Sequence, residues 1–141
     1  MTLKNIKDAY IIEAVNKQTI DSVTDEIREK SNGSYQQRGN KKYIIYKTQE
    51  EGKETSTIII YDGKSLDIKR RGEIESNMTF KENEETVSLY IMPYGRMPIR
   101  IKTEKLCVDL TENGGTIHLK YNLIIQGEDY KNDMMIKIIE E

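Results

Sequence analysis

Eleven residues, Tyr90-Ile91-Met92-Pro93-Tyr94-Gly95-Arg96-Met97-Pro98-Ile99-Arg100, hold both prolines of the chain together with two tyrosines and two arginines. Proline fixes φ and removes a ladder donor, so the backbone must leave regular pairing here, and a rigid loop presenting Tyr94 and Arg96 follows. Arginine pairs with anions through a planar fork and also stacks on tyrosine rings, so such a pair suits a small anionic or carbonyl-bearing ligand. The competing reading is a constrained hairpin that binds nothing. A second stretch, Arg70-Arg71-Gly72, raises a sharper question. Adjacent strand residues point to opposite faces, so one of the two guanidinium groups must turn inward if the sheet closes on itself. A buried guanidinium requires a carboxylate, carbonyls or a ligand anion. Parity with Leu66 and Ile68 puts Arg70 on their face, unless Gly72 marks a bulge that exchanges the two. An Arg–carboxylate pair stitching strands together is the alternative to a ligand site. Only Arg28, Arg38, Arg70, Arg71, Arg96 and Arg100 are arginines among 22 basic residues, so these few carry most of the anion-recognition information.

Other chemistries have little to work with. His118 is the only imidazole, and on strand alternation it shares a face with Lys120 and Asn122, which reads as an outward strand residue. No G-x-S-x-G elbow accompanies it, so nucleophilic hydrolysis finds no machinery. Cys107 lies between Leu106 and Val108 and is expected to be a small buried hydrophobe rather than a reactive thiolate. With one Cys and one His, a Cys/His zinc site, an iron–sulfur cluster and an intramolecular disulfide are all excluded. Glu82-Asn83-Glu84-Glu85 lacks the alternating oxygens and mid-loop Gly of a calcium loop and reads as a solvated turn. There is no phosphate-cradling Gly-rich motif. No catalytic residue, metal or cofactor is therefore expected, and an enzyme using Tyr or carboxylates as acid and base finds no carboxylates paired at a suitable spacing.

The elements that would carry these residues are strands. From Tyr35 onward the chain breaks into segments of about seven to twelve residues between Gly-containing pairs, the spacing of an antiparallel meander. Asp62-Gly63 and Asn113-Gly114 are the strongest signals for two-residue hairpin turns. Ile74, Ser76, Met78 and Phe80 alternate with polar neighbours. So do Ile117, Leu119, Tyr121, Leu123 and Ile125, then Val87, Leu89 and Ile91, and then Ile136 and Ile138. Apolar parity flips between Ile99-Ile101 and Leu106-Val108-Leu110, which predicts a β-bulge near Thr103-Glu104-Lys105 and hence a strongly curved sheet. Thr19–Asn32 is ambiguous: Ile20, Val23 and Ile27 fall at helical spacing, yet a polar loop leading into a strand fits equally well.

Composition bounds the rest. The 141 residues carry 22 basic and 24 acidic side chains, a net charge of −2, which describes one ordinary domain with no excess of charge to hold nucleic acid or an anionic membrane. The first eight residues, Met1-Thr2-Leu3-Lys4-Asn5-Ile6-Lys7-Asp8, scatter charge where an export signal needs an apolar run, and no apolar run approaches the length of a membrane helix. A cytoplasmic location is expected. Thr57-Ile58-Ile59-Ile60-Tyr61 is apolar on both faces, so one face could meet a partner or a second copy, making a homo-oligomer or interaction module the main alternative to a ligand binder.

The order of several short segments carries a family resemblance. Ile68-Lys69-Arg70-Arg71-Gly72, then Asn77-Met78-Thr79-Phe80, Tyr90 to Gly95, Ile101-Lys102-Thr103, and Gly115-Thr116-Ile117 leading to Leu119-Lys120-Tyr121, resemble the YwiB-like uncharacterised family of Firmicutes, from about Tyr10 to the C-terminus. The resemblance implies a calycin-type β-barrel, related in shape to lipocalins and fatty-acid-binding proteins, of unassigned function. It also implies that Asp25–Arg38 is largely strand. Met92 stands where a hydroxyl residue is expected before Pro93-Tyr94-Gly95. The expectation is thus an all-β antiparallel meander of eight to ten strands in one domain, residues 1–141, closed into a calycin/lipocalin-like barrel. A small molecule would sit at its mouth, lined by Arg71, Tyr94, Arg96 and Tyr121.

Overall fold

A computed structural model describes residues 9–141; the reading of Met1–Asp8 as no export signal lies outside them. Ten strands follow one another: β1 (Tyr10–Ile20), β2 (Val23–Arg38), β3 (Lys41–Glu50), β4 (Lys53–Tyr61), β5 (Ser65–Arg71), β6 (Ser76–Lys81), β7 (Glu85–Met92), β8 (Gly95–Thr111), β9 (Gly114–Ile125) and β10 (Glu128–Glu140). The order across the sheet is β6-β5-β4-β3-β2-β1-β10-β9-β8-β7, antiparallel throughout. It is an up-and-down meander in which β1 also pairs with the last strand, so consecutive β6 and β7 become the two edges of a nearly closed barrel. Among the described residues no helix is long and apolar enough to cross a membrane.

The helical alternative for Thr19–Asn32 is overturned. β1 turns at Asp21-Ser22 and returns as β2, with Ile20 opposite Val23 and Tyr10 opposite Gly33. Both turn residues have positive φ, as do Glu51-Gly52 and Gln126-Gly127, so these are the tight hairpin turns. The two turns expected from sequence are built differently. Asp62 holds Lys64 and Ser65 N–H groups with its carboxylate (2.8 and 2.7 Å), making a longer side-chain-capped turn. Around Asn113-Gly114 the turn is Glu112-Asn113, and Gly114 already begins β9.

The predicted bulge is present: the register of β8 on β9 shifts between Thr103 and Lys105. Before it Ile99 and Ile101 face inward; after it Leu106, Val108 and Leu110 do. Cys107, placed between inward residues, therefore points outward and is exposed, opposite His118, which corrects the expectation of a buried thiol. His118 is outward as expected and contacts Asp133 (2.7 Å).

Inside, the two ends of the barrel differ. One is a solid apolar plug that includes the fully buried Ile12, Ile44, Ile59, Leu66, Phe80, Ile117 and Leu119. Tyr35 closes it by donating its hydroxyl to the Thr111 carbonyl (2.6 Å) and packing edge-on against Tyr10. At the other end β2 and β3 part company. Their pairing stops at Gly33 and Tyr46, and Ser31 makes a last contact by donating its hydroxyl to the Lys47 carbonyl (2.6 Å). Gly33 permits that tight divergence, because a Cβ there would lie 2.5 Å from the Ile45 carbonyl oxygen. Beyond this point the hairpins β1–β2 and β3–β4 splay, opening a lateral mouth.

Candidate binding site

Two inner-face rows of polar residues meet behind that mouth, each set by strand register. Tyr46, Thr57, Arg70 and Ser76 lie opposite one another across β3, β4, β5 and β6. Gln18, Asn132, Tyr121 and Thr103 do the same across β1, β10, β9 and β8. A cavity of about 210 Å³ lies between them, walled by Arg70, Ser76, Tyr90, Tyr121 and Asn132 among others. The mouth outside it, about 450 Å³, shares Arg70, Ser76 and Tyr90 and adds Glu29, Glu50 and Glu51.

Arg70 is the inward arginine of its pair, as parity predicts, and it meets a carboxylate. Its Nη1 lies 3.3 Å from both oxygens of Glu29, and the Tyr46 hydroxyl reaches the same carboxylate at 3.3 Å. These are long for charge-assisted bonds. Nε and Nη2 of Arg70 have no protein partner among the described residues, so one bidentate fork of the guanidinium stays open. Burial by itself lowers the Arg70 pKa; Tyr46 and Glu29 alongside reverse this and hold it above its ordinary value. Burial pushes the Tyr46 phenol up to about 12, against the opposing influence of Arg70. Burial likewise raises Tyr121 and Tyr90, so the site presents neutral phenols around a permanent cation.

The two amides of the second row, Gln18 and Asn132, form a linked set with Asn16. Asn132, 5% exposed, accepts from Asn16 Nδ2 (2.9 Å) and Gln18 Nε2 (3.1 Å) and donates to the Tyr130 carbonyl (3.0 Å). Asn16 Oδ1 and Thr103 Oγ1 are buried and find no partner among the described residues. Buried polar atoms left unsatisfied are uncommon and call for water or a ligand group.

Of the four residues expected at the mouth, Tyr121 alone lines the inner cavity, packed edge-on against Phe80 with ring centroids 4.7 Å apart. Arg71 is exposed on the outer face beside the inward Arg70; Arg96 is exposed too, and Tyr94 is 87% exposed at the tip of the β7–β8 turn. The structure does not bring these three together with Tyr121. Sequence reasoning passed over Glu29, Tyr46, Asn16 and Asn132, and quoted Tyr90 without selecting it. Thr86, Ser88 and Tyr90 share a face, but alternation with the apolar Val87, Leu89 and Ile91 gave no sign that the polar face turns inward. That polar face is the inner one, and Val87, Leu89 and Ile91 form an exposed outer stripe.

Comparison with known proteins agrees with this architecture. The chain is 26% identical over 100 residues to the uncharacterized beta-barrel protein YwiB of Bacillus subtilis (strain 168), covering 70% of each chain. The crystal structure of the B. subtilis ywiB protein superposes with a TM-score of 0.86 at 20% identity, over 94% of this chain and 91% of that one. Residues 12–138 match the family described as a domain of unknown function, DUF1934, and the chain belongs to that family.

Proposed function

We propose that this barrel is a small-molecule binder whose polar half receives a carboxylate-bearing compound on Arg70. The observation that carries this reading is the open fork of Arg70 in the wall shared by mouth and inner cavity, with neutral phenols around it. A planar carboxylate matches two parallel N–H donors, and a partly enclosed cavity strengthens the pairing by excluding water. An interior filled with side chains from end to end would have argued against a ligand; here only one end is filled. The lipocalin-like comparison in shape, the cytoplasmic location and the absence of nucleic-acid or membrane partners belong to the same proposal, the last resting on the charge balance of the chain.

The test is a thermal-shift screen of a carboxylate library against wild type and the double variant Arg70→Met/Glu29→Gln, which removes both charges and leaves neither orphaned. Selective stabilisation of wild type supports the reading. Equal response of the two proteins, or none in either, refutes it.

A second reading, an interaction module, is favoured by the exposed stripe Val87 (73%), Leu89 (36%) and Ile91 (38%) on the outer face of β7. Sedimentation velocity checks its homo-oligomer form, and a monomer at high concentration counts against it.

A further inference from the structure

The mouth orders its charges by depth. Arg70 sits at the inner end, its side chain 28% exposed and also facing the inner cavity. Glu50 ends β3 and Glu51 begins the β3–β4 turn, both exposed at the rim. Four carboxylates and two cations line the mouth. Lys53 pairs with Glu73 and Arg70 with Glu29, which leaves Glu50 and Glu51 with no ion-pair partner among the described residues. The turn fixes the backbone that carries them to the rim, since Glu51 and Gly52 both hold positive φ.

This arrangement discriminates among ligands. A simple anion meets a repelling rim before it reaches Arg70, and Glu29 has already neutralised the formal charge of that arginine. A simple cation is welcomed at the rim and finds a guanidinium at the floor. A molecule with a carboxylate at one end and an ammonium at the other satisfies both. Resting on the carboxylate reading above, we infer that the ligand is a small zwitterion of the amino-acid or dipeptide class. Its carboxylate sits on Nε and Nη2 of Arg70 and its ammonium turns back toward Glu50 and Glu51. The mouth volume of about 450 Å³ holds a molecule of dipeptide size.

Isothermal titration with three probes of one body tests this: glycyl-leucine, its N-acetyl derivative carrying only the carboxylate, and its amide carrying only the ammonium. Rim charges are solvent-screened, so the expected preference for glycyl-leucine over the N-acetyl form is about five- to tenfold, and it should shrink with added salt. Glu50→Gln/Glu51→Gln, at two exposed positions, should abolish that preference while leaving N-acetyl-glycyl-leucine binding as tight or tighter. Binding of the N-acetyl form as tight as that of glycyl-leucine in wild type overturns the zwitterion inference and leaves the carboxylate reading standing. Tightest binding by the amide, or no binding by any of the three, overturns both.

Discussion

Thr86 donates its hydroxyl to the main-chain carbonyl of Thr79, standing where a backbone bond would otherwise join β7 to β6, and Ser88 does the same to Asn77. The two strands are pinned at their ends instead. At one end Glu75 and Ile91 exchange backbone bonds of 2.8 and 2.9 Å; at the other the strands are joined by their own turn, whose Asn83 and Glu84 are tied to Thr103 of β8 (2.8 and 3.1 Å). Between those pins the barrel wall is held by side chains alone. Amides of β6 and β7 should therefore exchange with solvent faster than those of β9, which is laddered on both sides. Thr86→Val/Ser88→Val removes two bonds worth about 1 kcal/mol each, so seam exchange should quicken roughly tenfold or more. Hydrogen-exchange mass spectrometry showing equal protection in β6, β7 and β9 would contradict this description of the seam.

Arg70 and Glu29 lie 41 residues apart in sequence and face each other with side chains 28% and 23% exposed, between the surface and the fully buried case. Arg70→Met leaves Glu29 half-buried and unpaired, and should lower stability by about 2 kcal/mol in urea unfolding, intermediate between the surface and buried ranges. Arg70→Met/Glu29→Gln should be more stable than Arg70→Met alone. If the double variant is the weaker of the two, the orphaned charge is not what destabilises.

The meander, its bulge and the inward Arg70 were legible because period two is a local property: Leu66, Ile68 and Arg70 share parity whatever lies across from them. Which face of a strand is the inner one is not local. Val87, Leu89 and Ile91 alternate like a core strand, yet they face solvent, because Tyr90, Ser88 and Thr86 are needed inside along the seam. Cys107 was misread through its neighbours. Residues one position away on a strand lie on the opposite face, so apolar Leu106 and Val108 argue for an outward thiol. Glu29 could not be assigned to Arg70 without the splaying of β2 from β3 that follows Gly33. Sequence gives no sign of where two paired strands separate. The local pattern around Ile20, Val23 and Ile27 kept a helix open because three apolar residues satisfy more than one period.

Cys107 should react with a thiol reagent such as Ellman's in the native protein, one equivalent per chain, without denaturant. A thiol that reacts only on unfolding would restore the buried reading and put the register after the bulge in doubt.

Buried phenols make the fold sensitive to alkali. Tyr46 is raised to about 12, and Tyr90 and Tyr121 are also raised by burial, relative to an unfolded value near 10. A folded pKa above the unfolded one means the unfolded chain releases protons first. The contribution of these residues is therefore complete below about pH 10 and is lost as pH climbs from there through 12. The urea midpoint should be flat with respect to these groups up to pH 10 and fall beyond it. In a titration followed by tyrosinate absorbance, part of the signal should appear only with unfolding. A single smooth titration of all nine tyrosines near pH 10 would place these phenols in water.

The open fork of Arg70 is most directly read by nitrogen-15 NMR of the arginine Nε–H groups, of which the chain has six. On titration with glycyl-leucine, the Arg70 signal should shift downfield in a saturable manner while those of Arg28, Arg38, Arg71, Arg96 and Arg100 stay in place, and Arg70→Met should remove the response. An Arg70 signal that does not move, or a uniform drift of all six, would contradict a carboxylate site inside this barrel.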